Sequence, residues 1–393
     1  MTNVDRCPSC GASGLRHFHR QDSIPVNSVL LLDSRDDAVR FPRGDLRLAF
    51  CDACGFITNT AFDRTMSEYS TRYEETQGFS PRFQEFARSL AKRWVDTYDL
   101  AGRTVVEIGC GKGEFLTLLC EYGVGRGIGI DPSYRPDRLD TAVADRLEFI
   151  QDFYSEQYGH LAGDAIVCRH TLEHIQPVRS FMETVRRSIG DRTDTVVLFE
   201  LPDVRRVLEE VAFWDVYYEH CSYFSLGSLA RLFRRTGFDV LDLSLEYDDQ
   251  YLLVEAKPGD GTGTPMRPEE DDLGEIAMAV DHFEAHYGDT VERWRDQVAG
   301  YVQEGRRVVI WGGGSKGVAY FTTLGVDDHI EYAVDINPYK QGKYMAGTGQ
   351  EVVAPEFLKE YRPDLVVVMN AIYRDEIQQS LDAMGVSADV VAV

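Results

Sequence analysis

Long apolar runs are missing from this sequence. Nowhere do about 18 apolar residues follow one another, the least that a membrane-spanning helix requires. The first residues, Met1 to Cys7, lack the basic and then apolar stretch of a secretory signal. This predicts a soluble chain in the reducing cytoplasm, with cysteines that form no disulfides. Positive charge is scarce too: 41 Lys and Arg stand against 65 Asp and Glu, a formal net charge of −24. Phosphate backbones and anionic lipids are held by clustered cations, so nucleic acid and membrane partners are excluded and a small-molecule substrate is expected. The basic residues are mostly Arg, and Asp-rich turns such as Asp36-Asp37 and Asp327-Asp328 suit a salt-adapted host or a GC-rich genome equally. No tandem repeat is present.

With 393 residues, 44% of them hydrophobic and 27% charged, the chain has the composition of a globular protein of two or three domains. Residues 1–62 hold four of the eight cysteines and short β-like runs, with a turn expected at Pro42-Arg43-Gly44-Asp45. From Met66 to Asp99 the pattern is helical: Phe83, Phe86, Leu90 and Trp94 recur at three- and four-residue steps after the start signal Ser80-Pro81. Apolar runs at 104–109, 126–131, 147–151, 164–168, 194–200, 238–245 and 250–256 then alternate with helical segments, which predicts a parallel sheet with crossover helices. The last two are joined through Glu246 to Asp249, too short for a helical crossover, and must pair antiparallel. The Gly- and Pro-rich stretch Pro258 to Pro265 reads as a linker, followed by a long helix to about Glu304 and a second strand–glycine–helix unit from Arg307. The expected partition is 1–62, 63–260 and 266–393, an α/β chain with a seven-stranded sheet at its centre, as monomer or dimer.

Three constellations carry chemistry. Val105 to Gly113 ends a strand and opens a helix, with Glu107 ahead of Gly109, Cys110, Gly111 and Gly113. Glycines there let backbone amides approach a ligand closely. A second strand ends in Asp131, about 20 residues on, where a carboxylate can accept from ribose hydroxyls. Together these resemble the S-adenosylmethionine (SAM) motifs of class I methyltransferases, which implies that Asp152 and Phe153 lie by the adenine and that Arg169, His170 and His174 line the methyl-transfer site. The alternatives are a dinucleotide dehydrogenase or a degenerate fold. Cys7-x-x-Cys10 and Cys51-x-x-Cys54 have the spacing of paired zinc knuckles, a closed and therefore structural site, against the plainer reading of scattered buried cysteines. Cys110, Cys120, Cys168 and Cys221 read as core residues. The third constellation, Trp214 to Ser225, follows the fifth strand. In it His220 is a candidate general base, Glu219 its orienting neighbour, and Tyr217 or Tyr218 a donor to substrate oxygen; a packed, hydrogen-bonded loop explains the same residues as well.

The whole chain resembles a three-domain family of SAM-dependent C-methyltransferases: a zinc module, a class I core and a Rossmann-like C-terminal domain. Characterised members methylate C-3 of nucleotide-linked deoxysugars. The paired cysteines, Tyr218-Glu219-His220 with Tyr223-Phe224-Ser225, and the segments 311–317, 334–342 and 368–373 carry the resemblance. It implies His220 as base with Tyr217 and Glu219 beside it, and Tyr69 or Tyr73 at the sugar. Gly314 and Lys316, in the loop from Gly312 to Gly317, could meet a diphosphate, or that loop could be a plain strand–helix turn. The chain departs from the deoxysugar pattern at Pro25-Val26-Asn27-Ser28, at Phe56-Ile57-Thr58-Asn59 and in the lead-in Tyr73 to Ser80, all expected to face the acceptor. An O- or N-methyltransferase and a SAM-binding protein without turnover are the rival functions.

Overall fold

The computed structural model describes residues 5–67, 69–161, 163–326 and 329–393; Met1 to Val4 and the expected turn at Asp327-Asp328 lie outside them. The central sheet holds β4 (Thr104–Ile108), β5 (Arg126–Ile130), β6 (Leu147–Ile150), β7 (Ala165–Arg169), β8 (Val196–Pro202), β10 (Phe238–Glu246) and β11 (Tyr251–Pro258) in the order β10-β11-β8-β7-β4-β5-β6. Every pairing is parallel except those of β11 with β8 and β10, the topology of a class I methyltransferase sheet. Order reverses between β4 and β7, so the crevice at their carboxyl ends is where a ligand binds in such a fold. All seven expected strands form. The turn between β10 and β11 places Tyr247, Asp248 and Asp249 at φ of 54°, 61° and 58°, three successive left-handed residues.

The expected helix from Met66 does not begin there. Among the described residues, 67–80 are irregular after a single 3-10 turn, and the helix spans Pro81–Thr97 with Ser80 Oγ accepting from Phe83 N. Backbone bonding explains the difference: Leu31 N donates to Arg72 O and Glu74 N to Val29 O, so the lead-in pairs with the N-terminal segment instead of coiling on itself.

That segment forms a second sheet of β1 (Arg16–Pro25), β2 (Arg43–Phe50), β3 (Ile57–Asn59) and β9 (Ser222–Tyr223). The turn expected at 42–45 is instead the start of β2, where Gly44 pairs with Ile24. Glycine is needed there for packing, because a Cβ would stand 2.5 Å from the ring of Tyr218. β9 comes from the loop after β8, so the small sheet is completed by the methyltransferase core. Its apolar side chains have no core of their own. Phe18, Leu46 and Phe50 pack with Trp214, Phe283 and Tyr320, while Phe56 packs with Phe199, Phe224 and Phe233.

The third sheet, all parallel, is β12 (Val308–Trp311), β13 (Tyr332–Val334), β14 (Glu351–Val353), β15 (Leu365–Val368) and β16 (Asp389–Ala392), in the order β14-β13-β12-β15-β16. The helix Leu273–Gln303 leads into it. The expected linker is anchored rather than free: Gly261 N and Gly263 N donate to Asp239, and Arg234 holds the carbonyls of Gly261 and Thr264. Glycine is abundant there because the chain passes directly over the Asp239 carboxylate.

Candidate active site

One large cleft, about 1190 Å³, runs from the carboxyl ends of β4 and β5 to the loops of the third sheet and is lined by all three parts of the chain. At its floor the β4 loop turns through Gly109, Gly111 and Gly113, all at positive φ. A Cβ on Gly109 would run into Thr171, and one on Gly111 would meet the Glu75 carboxylate at 2.6 Å, so side chains are barred from the cradle. Asp131 ends β5 and accepts from Gly111 N (2.8 Å), Ser133 N (2.6 Å) and Ser133 Oγ (2.7 Å). These bonds fix its carboxylate beside the loop. Glu107 is 2% exposed, its Oε2 has no partner among the described residues, and burial pushes its carboxyl up to about 8. An unpartnered buried oxygen beside a glycine cradle and a fixed carboxylate fits a ligand rich in hydroxyl and ammonium donors, as SAM is.

Most of the residues expected from the sequence line this cleft: Glu107, Gly109, Cys110, Gly111, Asp131, Phe153, Arg169, His170, His174, Tyr69, Tyr73, Tyr217, His220, Gly314 and Lys316. Phe153 is 46% exposed at the mouth, edge-on to Tyr69 and under Arg64. Asp152 does not line the cleft; its carboxylate accepts from Tyr158, Gln157 and Phe153 N and shapes the loop after β6. Gly113 caps the helix after β4, with Phe149 filling the space of its missing side chain.

Behind the floor, Arg169 donates twice to Glu200 (both 2.9 Å) and stacks over Phe115, and His170 meets the same carboxylate at 2.7 Å. Burial alone would lower the His170 imidazole, but Glu173 and Glu200 raise it to about 9. His170 is therefore a fixed cation within a structural network.

The loop from Trp214 to Ser225 divides sharply. Tyr217 and His220 face the cleft with ring centroids 4.2 Å apart, and the His174 ring lies 4.8 Å from His220, edge-on. His174 Nδ1 is held between Tyr69 Oη and Glu219 O, both at 3.0 Å. Burial, and then repulsion from the titratable groups of His174, His170 and Lys316, hold the His220 imidazole well below its ordinary pKa, so it is neutral at neutral pH. Burial raises the hydroxyls of Tyr69, Tyr73 and Tyr217 well above the usual phenol value, which keeps them donors. The other two residues point elsewhere. Tyr218 is buried against Phe62 and accepts from Asp63 N, a packing role dictated by the Gly44 contact. Glu219 accepts from Ser28 N (2.8 Å) and from Ser28 Oγ, so its carboxylate serves the N-terminal segment rather than His220. Lys316 is not a free cation: it meets Asp215 at 2.7 Å, and Arg206 meets the same carboxylate oxygen at 2.5 Å.

Several cleft residues carry no role in the sequence reading. Lys112 is buried and donates to Tyr73 O (2.8 Å), Ser133 O (3.1 Å), Ser133 Oγ (3.2 Å) and Glu75 (3.2 Å), clamping the lead-in onto the glycine loop. Glu74 binds Arg138 at 2.6 and 3.0 Å and Asn337 at 2.9 Å, joining the lead-in, the core and the C-terminal domain. Gln250 and Asn370 exchange two bonds, of 3.0 and 2.9 Å, across the same gap. Two adjacent acids, Glu74-Glu75, and a lysine inside a glycine loop were the only signals.

Outside the cleft, Cys7 and Cys54 bring their sulfurs to 3.6 Å, as do Cys10 and Cys51, and all four lie within 4.8 Å of one another. Tetrahedral metal–sulfur bonds of about 2.3 Å place sulfurs about 3.8 Å apart, so this set could hold a metal ion. All eight cysteines are free, and Cys110, Cys120, Cys168 and Cys221 are buried.

Residues 81–243 match the family described as methyltransferase domain, and residues 265–388 the C-methyltransferase C-terminal domain. The C-methyltransferase NovU of Streptomyces niveus is 27% identical over 95% of this chain and 91% of that protein. A ribosomal protein L11 methyltransferase of Yersinia pseudotuberculosis is 28% identical over 26% of this chain and 37% of its own length. Among solved structures, the 1,6-didemethyltoxoflavin-N1-methyltransferase of Burkholderia thailandensis aligns with 45% of this chain and 80% of its own, at 18% identity and a TM-score of 0.36. With the sheet order and the cleft, the two family matches identify the chain as a SAM-dependent methyltransferase that carries a C-methyltransferase C-terminal domain.

Proposed function

We propose that the chain methylates a carbon next to the carbonyl of a nucleotide-linked keto sugar, with His220 as the general base. The observation that carries this reading is the neutral, buried imidazole of His220 on the cleft wall beside Tyr217 and His174, with no hydrogen bond to its ring among the described residues. A transfer to oxygen or nitrogen needs no such base when the acceptor is already nucleophilic; a carbon acid does. Bound SAM supplies an electrophilic methyl on a positively charged sulfur. His220 takes the proton from the carbon next to the acceptor carbonyl, and the electron pair left behind forms the new C–C bond as the S–CH₃ bond breaks. Un-ionised hydroxyls of Tyr217, Tyr69 and Tyr73 are the available donors for the enolate oxygen. Glu219 acts at one remove: through Ser28 it fixes the loop that carries His220, and Ser28 Oγ in turn reaches Ser315 Oγ at 2.7 Å in the C-terminal domain. The amides at the start of the helix Ser315–Leu324, with Gly314 along the cleft, suit the diphosphate of such an acceptor, while Lys316 and Arg206 are held by Asp215. The four cysteines are read as a structural zinc site, because four thiolates fill the coordination shell. In deuterated water without SAM, the enzyme should exchange the hydrogen next to the carbonyl of a keto-sugar nucleotide. His220→Asn should abolish exchange and lower turnover by about two to four orders of magnitude. Methylation at oxygen, with no exchange in either protein, would overturn the reading.

A further inference from the structure

Glu173, His174 and His220 meet in the cleft in a way that proton abstraction does not explain. The first two lie on the short turn Leu172–His174 after β7, the third in the loop before β9. The two segments are bound together, since Ser222 Oγ donates to Ile175 O at 2.7 Å and His174 Nδ1 meets Glu219 O. One ligand atom from each of the three residues lies within 4.8 Å of the others. Glu173 is 3% exposed, and its Oε2 has no hydrogen-bond partner among the described residues. A buried carboxylate oxygen left unsatisfied in this way is rare and calls for a partner. His170, at 3.7 Å, faces the other oxygen, Oε1.

Two imidazoles and one carboxylate on a single wall form the donor set of borderline divalent metals, with the remaining coordination positions open to the cleft. Bonds of about 2.0–2.2 Å place such donors roughly 3.3 Å apart, so the three groups need close by no more than about 1.5 Å, within the reach of small side-chain rotations. The four-cysteine site is a separate, all-sulfur cluster that does not line the cleft. We propose that Glu173, His174 and His220 bind a late first-row divalent cation, and that its occupancy shuts the enzyme off by taking the His220 lone pair that proton removal requires. The inhibitory half rests on His220 being the base. The metal would then compete with the acceptor and leave SAM binding untouched, because the glycine loop and Asp131 supply no ligand to it.

The test uses full-length protein with its four-cysteine site filled, titrated with cobalt(II) alone. Wild type should take up one further cobalt per chain, with visible d–d bands and no thiolate charge-transfer band. Glu173→Gln and His174→Ala should each lose that uptake while keeping the first metal and a single cooperative thermal transition, lowered by the loss of the Glu173–His170 and His174–Glu219 contacts. In turnover assays cobalt should raise the apparent KM for the acceptor, and Glu173→Gln should need at least about tenfold more cobalt for equal inhibition. No further cobalt in wild type, or equal uptake by both variants, overturns the site. If the variants are misfolded, competition between cobalt and acceptor in wild-type binding assays decides the matter in their place. Uptake that depends on both residues but leaves turnover unchanged confirms the site and refutes His220 as the base.

Discussion

Replacing Glu74 by Gln perturbs a point at which the lead-in, the core and the C-terminal domain share a buried charge. The side chains of Glu74 and Arg138 are 1% and 4% exposed, joined by two bonds, with Asn337 donating a third and the Tyr339 ring 3.4 Å from the Arg138 guanidinium carbon. Glu74→Gln keeps the shape but leaves the guanidinium buried without a counter-charge. Breaking such a pair costs about 3–5 kcal/mol, more than any one exposed ion pair in the chain can contribute. At 1.4 kcal/mol per factor of ten, the equilibrium constant for docking the lead-in falls by about two to three and a half orders of magnitude. Because Lys112 grips Tyr73 O in the adjacent residue, the loss should reach the cofactor loop as weaker SAM binding. Urea unfolding followed by tryptophan fluorescence measures the first effect and calorimetry the second. The double variant Glu74→Gln/Arg138→Leu should be more stable than the sum of the two single changes by about 2 kcal/mol, since it removes the stranded cation. pH gives an independent check. Burial alone would raise the Glu74 carboxyl, yet Arg138 and Asn337 hold it below its usual value, so its stabilising contribution is present above pH ~4.5 and lost as pH falls through its folded value. A Glu74→Gln cost within about 1 kcal/mol, or strict additivity in the double variant, would refute this account.

Asp131→Ala should weaken SAM binding about tenfold or more by calorimetry, because it removes a carboxylate fixed by Gly111 N and Ser133 and placed for ribose hydroxyls. Unchanged affinity would place the cofactor elsewhere. SAM binding should release protons. Burial holds the Glu75 and Glu107 carboxyls up, at about 7 and about 8, and a cationic ligand favours their ionised forms. Affinity should therefore rise between about pH 6 and 8; calorimetry in buffers of different ionisation enthalpy would show zero proton release if this is wrong. Cys51→Ser should remove about one zinc per chain, and with it much of the chain's stability, because the cysteine module packs against Phe199, Phe224 and Phe233 of the core; full stability in the metal-free protein would refute a structural role. Tyr217→Phe should slow turnover and leave stability unchanged, while Tyr218→Phe should lower stability by about 1 kcal/mol with turnover retained, since only Tyr217 faces the cleft.

Features that follow from local periodicity and short spacing are legible in the amino-acid order. The seven strands of the core, the hairpin forced by four residues, the cap at Ser80, the glycine cradle with Asp131 behind it and the paired cysteines are all local patterns, and all are in the structure. Tertiary structure decided which way side chains face and which distant segments meet. Tyr217, Tyr218, Glu219 and His220 are consecutive and equally suited to catalysis by composition. The approach of Gly44, with Phe62 and Asp63, draws Tyr218 into packing, and Ser28, 191 residues away, takes the Glu219 carboxylate. The lead-in after Met66 reads as helical in sequence, yet among the described residues 69–77 form an irregular strap, because Val29 and Leu31 bond to its backbone from outside. The Glu74–Arg138–Asn337 junction has no sequence signature, since a buried ion pair is defined by the desolvation of partners that lie 64 and 263 residues apart.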